Sequence, residues 1–173
     1  SRHYAIAAKV PMLEPADSVE AKEFTKAAFE LSEKFDTPVI VRMCTRIAHS
    51  QCAVELCEPK AAVKRDYVKD PKKYIMAPAN ATRKHPVVEA RGKALTEFAE
   101  TCSLNRVELS EGSKLGIITS GTCYQYVKEI FGDSVSVLKL GLVCPLPTRL
   151  IKEFASKFDR VVVIEELDPY IEE

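Results

Sequence analysis

The chain has no tryptophan, no Cys-x-x-Cys pair, no long apolar run and no net charge. Lys plus Arg and Asp plus Glu number 25 each, so no long-range field draws the chain to nucleic acid or an anionic membrane. No apolar run approaches the roughly 18 residues of a membrane-spanning helix, and no secretory leader is visible. The six cysteines, Cys44, Cys52, Cys57, Cys102, Cys123 and Cys144, are scattered. Zinc ribbons and iron–sulfur clusters need paired close spacings, and the nearest pair, Cys52-x4-Cys57, has no second half. These thiols read as reduced, small hydrophobic groups of a cytoplasmic protein. Asn80-Ala81-Thr82 spells a glycosylation sequon, a triplet that chance supplies often and that no export signal supports.

What remains is ordinary globular material, 46% hydrophobic and 29% charged, enough for one domain or two small ones. Its organising stretch is Lys114–Glu166. Three apolar runs, Lys114–Thr119, Val135–Leu140 and Arg160–Ile164, read as strands covered on both faces. Cys123, Val127 and Ile130 fall on one face of a helix between the first two. Leu150, Ile151, Phe154 and Phe158 do the same between the last two. The alternation predicts an α/β fold of parallel βαβ units with right-handed crossovers. Arg160–Ile164, a continuous β-branched run after its arginine, is expected inside the sheet.

In an open parallel sheet, ligands and partners meet the carboxyl ends of the strands. Those ends carry Thr119, Ser120 and Gly121, then Gly141 to Pro147, then Glu165, Glu166 and Asp168. The first is either a tight turn capping a helix or, in a stand-alone module, a site at Thr119–Thr122 for a small anion or protein partner. Gly116-x4-Gly121 has the glycine spacing of a nucleotide phosphate loop. Thr122-Cys123 stands where Lys-Ser/Thr is required, which excludes that reading.

Earlier in the chain, Ser1-Arg2-His3-Tyr4 shows no helix or strand pattern and starts as though mid-domain, without Met. Asp17-x-x-Glu20 forms a capping box for a helix whose stripe is Ala21, Phe24, Ala28, Leu31 and Phe35. Val39–Met43 follows as a buried strand. Beyond it, Arg42, Thr45, Arg46, His49 and Ser50 make a polar loop able to hold an anion, pair with a partner chain, or form surface salt bridges. Residues 57–108 read as a linker rich in proline and lysine, with a helix over about 86–103 that Pro86 opens.

Several of these stretches resemble one family. Leu13-Glu-Pro-Ala-Asp17, Pro38-Val-Ile-Val-Arg42 and Thr45-Arg-Ile-Ala-His-Ser50 look like the closing part of a pyrimidine-binding domain of thiamine-diphosphate-dependent 2-oxoacid:ferredoxin oxidoreductases. Tyr74-Ile-Met-Ala-Pro-Ala-Asn80, His85-Pro86 and Val163-Ile-Glu-Glu-Leu-Asp-Pro169 narrow it to the large (alpha) subunits acting on indolepyruvate. The resemblance covers essentially the whole chain. It implies that residues 1–56 end a pyrimidine-binding domain and that 109–173 form a transketolase C-terminal-like unit. It also implies a 2-oxoacid decarboxylated on thiamine diphosphate, oxidised by ferredoxin and passed to coenzyme A, in an enzyme carrying Mg2+ and [4Fe–4S] clusters. A beta subunit and the other domains of the parent subunit are the implied partners. Neither a Gly-Asp-Gly…Asn segment nor clustered cysteines occur here, so the resemblance implies an internal piece, inert alone and holding no cofactor itself. By that likeness Ser1, Arg2 and His3 lie near the substrate end of the cofactor cleft. Thr45, Arg46, His49 and Ser50 lie near domain contacts, and Glu165, Glu166 and Asp168 form an acidic strand end.

Overall fold

A computed structural model describes residues 1–59, 61 and 66–173. The elements run α1 (Arg2–Ala8), β1 (Met12–Leu13), α2 (Ser18–Phe35), β2 (Ile40–Val41), α3 (Thr45–His49), α4 (Pro71–Tyr74) and α5 (Pro78–Ala99). They continue as β3 (Arg106–Glu108), β4 (Leu115–Ser120), α6 (Cys123–Phe131), β5 (Ser136–Leu140), β6 (Leu142–Cys144), α7 (Thr148–Ala155) and β7 (Arg160–Ile164).

The organising stretch folds as parallel βαβ units. In a four-stranded sheet of order β3-β5-β4-β7, β4 pairs in parallel with both β5 and β7. Two details depart from the sequence reading. β7 lies at the sheet edge and its Val161–Ile164 are half-buried, so its β-branched run marks one covered face rather than two. β3, too short and polar to announce itself, adds an antiparallel strand to β5 at the end of the stretch read as linker.

A second sheet, of order β2-β1-β6, joins the front of the chain to its back. β1 runs parallel to β2 and antiparallel to β6. The switch between sheets is made at Gly141, whose N–H donates to Asn105 Oδ1 (2.9 Å) and whose carbonyl accepts from Glu14 N (2.8 Å). Cores follow the same division. Ala5, Val10 and Met12 pack with Ile118, Leu138, Leu140 and Phe154, while Leu13, Phe24 and Leu31 pack with Ala99 and Leu142. Residues from the front and the back of the chain thus share these cores.

Local sequence explains most boundaries. Asp17 caps α2 by accepting from Glu20 N, as the capping box requires. The first residues, expected to be patternless, form α1, because Ala5 and Val10 are buried under it. α5 starts earlier than expected, with Pro78 in its first turn and Pro86 inside it. The linker's basic residues Lys60, Lys64 and Arg65 lie outside the described residues.

Gly92 in α5 gives a test. A Cβ there would meet nothing within 4 Å. Gly92→Ala is expected to stabilise the fold by about 0.5–1 kcal/mol, read as a higher urea midpoint.

Candidate functional site

Four strands deliver polar residues to one place. Glu14 follows β1, Arg42 follows β2, Ser120 ends β4, and Glu165 follows β7. The first residue of α1, Arg2, enters among them and is only 5% exposed. Its Nε donates to Glu14 Oε1 at 2.7 Å and its Nη2 to Glu14 Oε2 at 2.8 Å, the two-pronged match of guanidinium to carboxylate. Nη1 reaches Glu165 Oε2 at 2.9 Å and the Glu166 carbonyl at 3.3 Å. Ser120 Oγ accepts from Arg2 Nη2 (3.1 Å) and donates to Glu14 Oε2 (2.9 Å). Arg42 adds Nη1 to Glu14 Oε1 at 3.2 Å, and its Nε donates to Ser1 Oγ at 2.9 Å. Glu166 Oε2 stands 3.6 Å from Arg42 Nη1.

Glu165 also ties down the last turn. Its Oε1 accepts from the backbone of Tyr170 and Ile171, both at 3.0 Å. The Tyr170 hydroxyl donates to the Val143 carbonyl at 2.9 Å, and burial first, then Cys144, push its ionisation well above the ordinary range. The cluster is therefore a clasp that fastens the two ends of the chain over the strand ends.

Burial pushes the Glu14 carboxyl up. The hydrogen bond and charge of Arg2, with Arg42 and Ser120 behind them, outweigh burial and hold it below its ordinary 4.5. A carboxylate held ionised by two guanidiniums is a poor proton acceptor at neutral pH, so the clasp is built for fastening rather than acid–base work. The sign for stability follows. A depressed carboxylate contributes stability that is complete above its unfolded value and is lost as pH falls through the folded one. Urea midpoints are expected to drop from about pH 4.5 downward. Glu14→Gln should flatten that slope, and an unchanged slope would show that other groups set it.

Of the sequence candidates, Arg2, Arg42, Ser120, Glu165 and Glu166 meet in the clasp, with Ser1 at its rim. His3 stands beside it, edge-on to Tyr170 with ring centroids 5.9 Å apart. Thr119 Oγ1 donates to the Ile164 carbonyl, stitching β4 to β7. Gly121 takes φ +53, and a Cβ there would come 3.4 Å from Glu14 Oε2. At Thr119–Thr122 the hydroxyls are bonded within the fold, Thr119 to Ile164, Ser120 to Glu14 and Arg2, and Thr122 to Cys44. Thr45, Arg46, His49 and Ser50 sit on or beside α3, outside the clasp and exposed. Arg46 lies over the Tyr126 ring at 5.3 Å, and Ser50 bonds Ser18. Asp168 is exposed.

Glu14 is the residue that sequence reasoning misses. The signal is present, as one acid in the apolar run Val10–Ala16. Such a charge is buried only when paired.

No protein-family model matches the chain. Indolepyruvate oxidoreductase subunit IorA of Thermococcus kodakarensis is 39% identical over 183 residues, covering 100% of this chain and 28% of the relative. The subunit of the same name from Methanothermobacter thermautotrophicus is 40% identical, over 99% of this chain and 29% of its own length. From end to end, this chain matches one stretch of subunit IorA. It spans less than a third of the length of these IorA relatives. A solved 2-oxoglutarate:ferredoxin oxidoreductase from Magnetococcus marinus, with 2-oxoglutarate, coenzyme A and succinyl-CoA bound, shares the fold. Its TM-score is 0.55 at 18% identity, over 88% of this chain and 34% of that one.

Among the described residues no three of His, Cys, Asp and Glu could hold one metal ion. Glu14 and Glu165 are committed to Arg2. No helix among the described residues is long and apolar enough to cross a membrane.

Proposed function

We propose that the chain serves as an architectural and interfacial part of the large subunit of a cytoplasmic indolepyruvate (aryl 2-oxoacid):ferredoxin oxidoreductase. Such an enzyme would turn a 2-oxoacid and coenzyme A into acyl-CoA and carbon dioxide, with ferredoxin taking the two electrons and thiamine diphosphate, when bound, supplying the carbanion chemistry. The observation that carries the reading is the likeness to IorA along the whole chain at about 40% identity. Residues 1–56 would close the pyrimidine-binding domain and 109–173 form the transketolase C-terminal-like unit. Thiamine diphosphate, Mg2+ and [4Fe–4S] clusters would belong to the remaining domains, with a beta subunit and ferredoxin as partners. The clasp supports this role, because each of its three carboxylates is paired with one of its two guanidiniums.

The test is direct. The purified chain, given indolepyruvate, coenzyme A, thiamine diphosphate, Mg2+ and ferredoxin, is expected to reduce no acceptor above a buffer control. It should also give no calorimetric signal with thiamine diphosphate. Turnover by this chain alone would overturn the architectural assignment.

A further inference from the structure

On the face away from the clasp, where α2 ends, lies a hollow of about 380 Å³. Three cations from two other helices converge there. Lys73 of α4 and Lys84 and Arg91 of α5, the latter two on one helical face, surround Asp36, the residue that caps α2. Lys73 Nζ is 2.7 Å from Asp36 Oδ1 and Lys84 Nζ is 3.6 Å from Oδ2, so one carboxylate answers two ammonium groups. Arg91 spends Nη1 on the Asp36 carbonyl at 2.6 Å. Its Nε is buried and has no acceptor among the described residues. A buried guanidinium N–H without an acceptor is costly, and it marks a place where an oxygen belongs. Asp36 itself is largely exposed, with 58% of its side chain open to water, so it can swing aside.

We propose that this hollow binds a phosphoryl group, with Lys73, Lys84 and Arg91 as its ligands and Asp36 as the group it displaces. The choice of phosphoryl over carboxylate rests on geometry. The donors come from two helices, α4 and α5, and exceed in charge the two acids, Glu33 and Asp36, that line the hollow. A tetrahedral dianion offers oxygens to several directions at once, where a carboxylate offers two in one plane. The site lies apart from the strand ends and is independent of the oxidoreductase reading. Its volume also leaves room for a larger phosphomonoester, with the exposed Tyr74 ring at the rim.

The experiment is a titration of the intact chain at low salt, followed by amide NMR shifts, with inorganic phosphate in one arm and adenosine 5′-monophosphate in the other. Saturable shifts confined to Asp36, Lys73, Lys84, Arg91 and their neighbours are expected. Asp36→Asn should tighten binding at least threefold by removing the competing carboxylate. Lys84→Met and Arg91→Met should each weaken it at least tenfold while the melting temperature stays within a few degrees. Tighter binding of the nucleotide would identify a larger phosphomonoester as the ligand, and equal binding would identify free phosphate. Unsaturable shifts in both arms, or weaker binding by Asp36→Asn, would overturn the site. If Lys84→Met does not fold, Lys84→Arg serves instead: retained saturable binding supports the assignment, and its loss overturns it.

Discussion

Arg2→Met is expected to destabilise the fold by about 3–5 kcal/mol, because it strands buried carboxylates without their partner. Glu14 is 1% exposed and would keep only Arg42, at 3.2 Å, and the Ser120 hydroxyl, at 2.9 Å, while Glu165 would keep only backbone donors. The loss would be comparable with much of a typical domain's stability of roughly 5–15 kcal/mol. The effect should not be additive with its partner. Replacing both Arg2 and Glu14 by apolar residues of similar size removes the stranded charge, so Arg2→Met/Glu14→Leu should cost less than the two single changes summed. Urea melts of the four proteins close the cycle. Additive costs would mean that the clasp is a set of independent surface contacts.

Gly141→Ala is expected to cost about 3 kcal/mol or more, the upper end of what overpacking does. A Cβ at Gly141 would lie 2.3 Å from the Leu104 carbonyl oxygen and 2.8 Å from Phe24 Cζ. The first obstacle is backbone and cannot rotate away. Asn105, the next residue, holds that backbone in place by accepting from both Gly141 N and Leu142 N. The contrast is Gly116, where the 2.5 Å neighbour is the ring of Phe158, a side chain that can shift. Gly116→Ala should therefore lose distinctly less. Equal midpoints for the two variants would mean that the crossing between the sheets is looser than these distances show.

The parts of this fold that can be read from sequence are the local ones. α6, β4, β5 and α2 announce themselves by period and by caps, because a helix stripe or an apolar run is set by neighbours in the chain. Strand order is not local. Nothing in Val161–Ile164 distinguishes an edge from a centre, so composition alone puts β7 inside the sheet. β1 and β2 are two residues each, too short for any alternation to register. Their pairing with β6 depends on the Gly141 crossing, which appears in the sequence only as one glycine among six. Half of the clasp is visible as strand-end polarity at Ser120, Glu165 and Glu166. The other half depends on Arg2 and Glu14, 12 residues apart, finding acids and hydroxyls more than 100 residues away. Buried charges in apolar runs are the unused clue. Lys139 in β5 is a second instance, fully buried against Glu20 and over the Phe24 ring.

The central claim is that this chain supplies the structural work of one stretch of an IorA-type subunit. The most direct measurement is a chimera in which the stretch of the Methanothermobacter thermautotrophicus subunit that aligns with this chain is replaced by these 173 residues. The chimera is purified with whatever subunits accompany the native one and assayed for indolepyruvate oxidation. Activity within about tenfold of the native enzyme is predicted, and Arg2→Met in the chimera should lower it together with thermal stability. A chimera that assembles and melts like the native enzyme yet oxidises no indolepyruvate would contradict the claim.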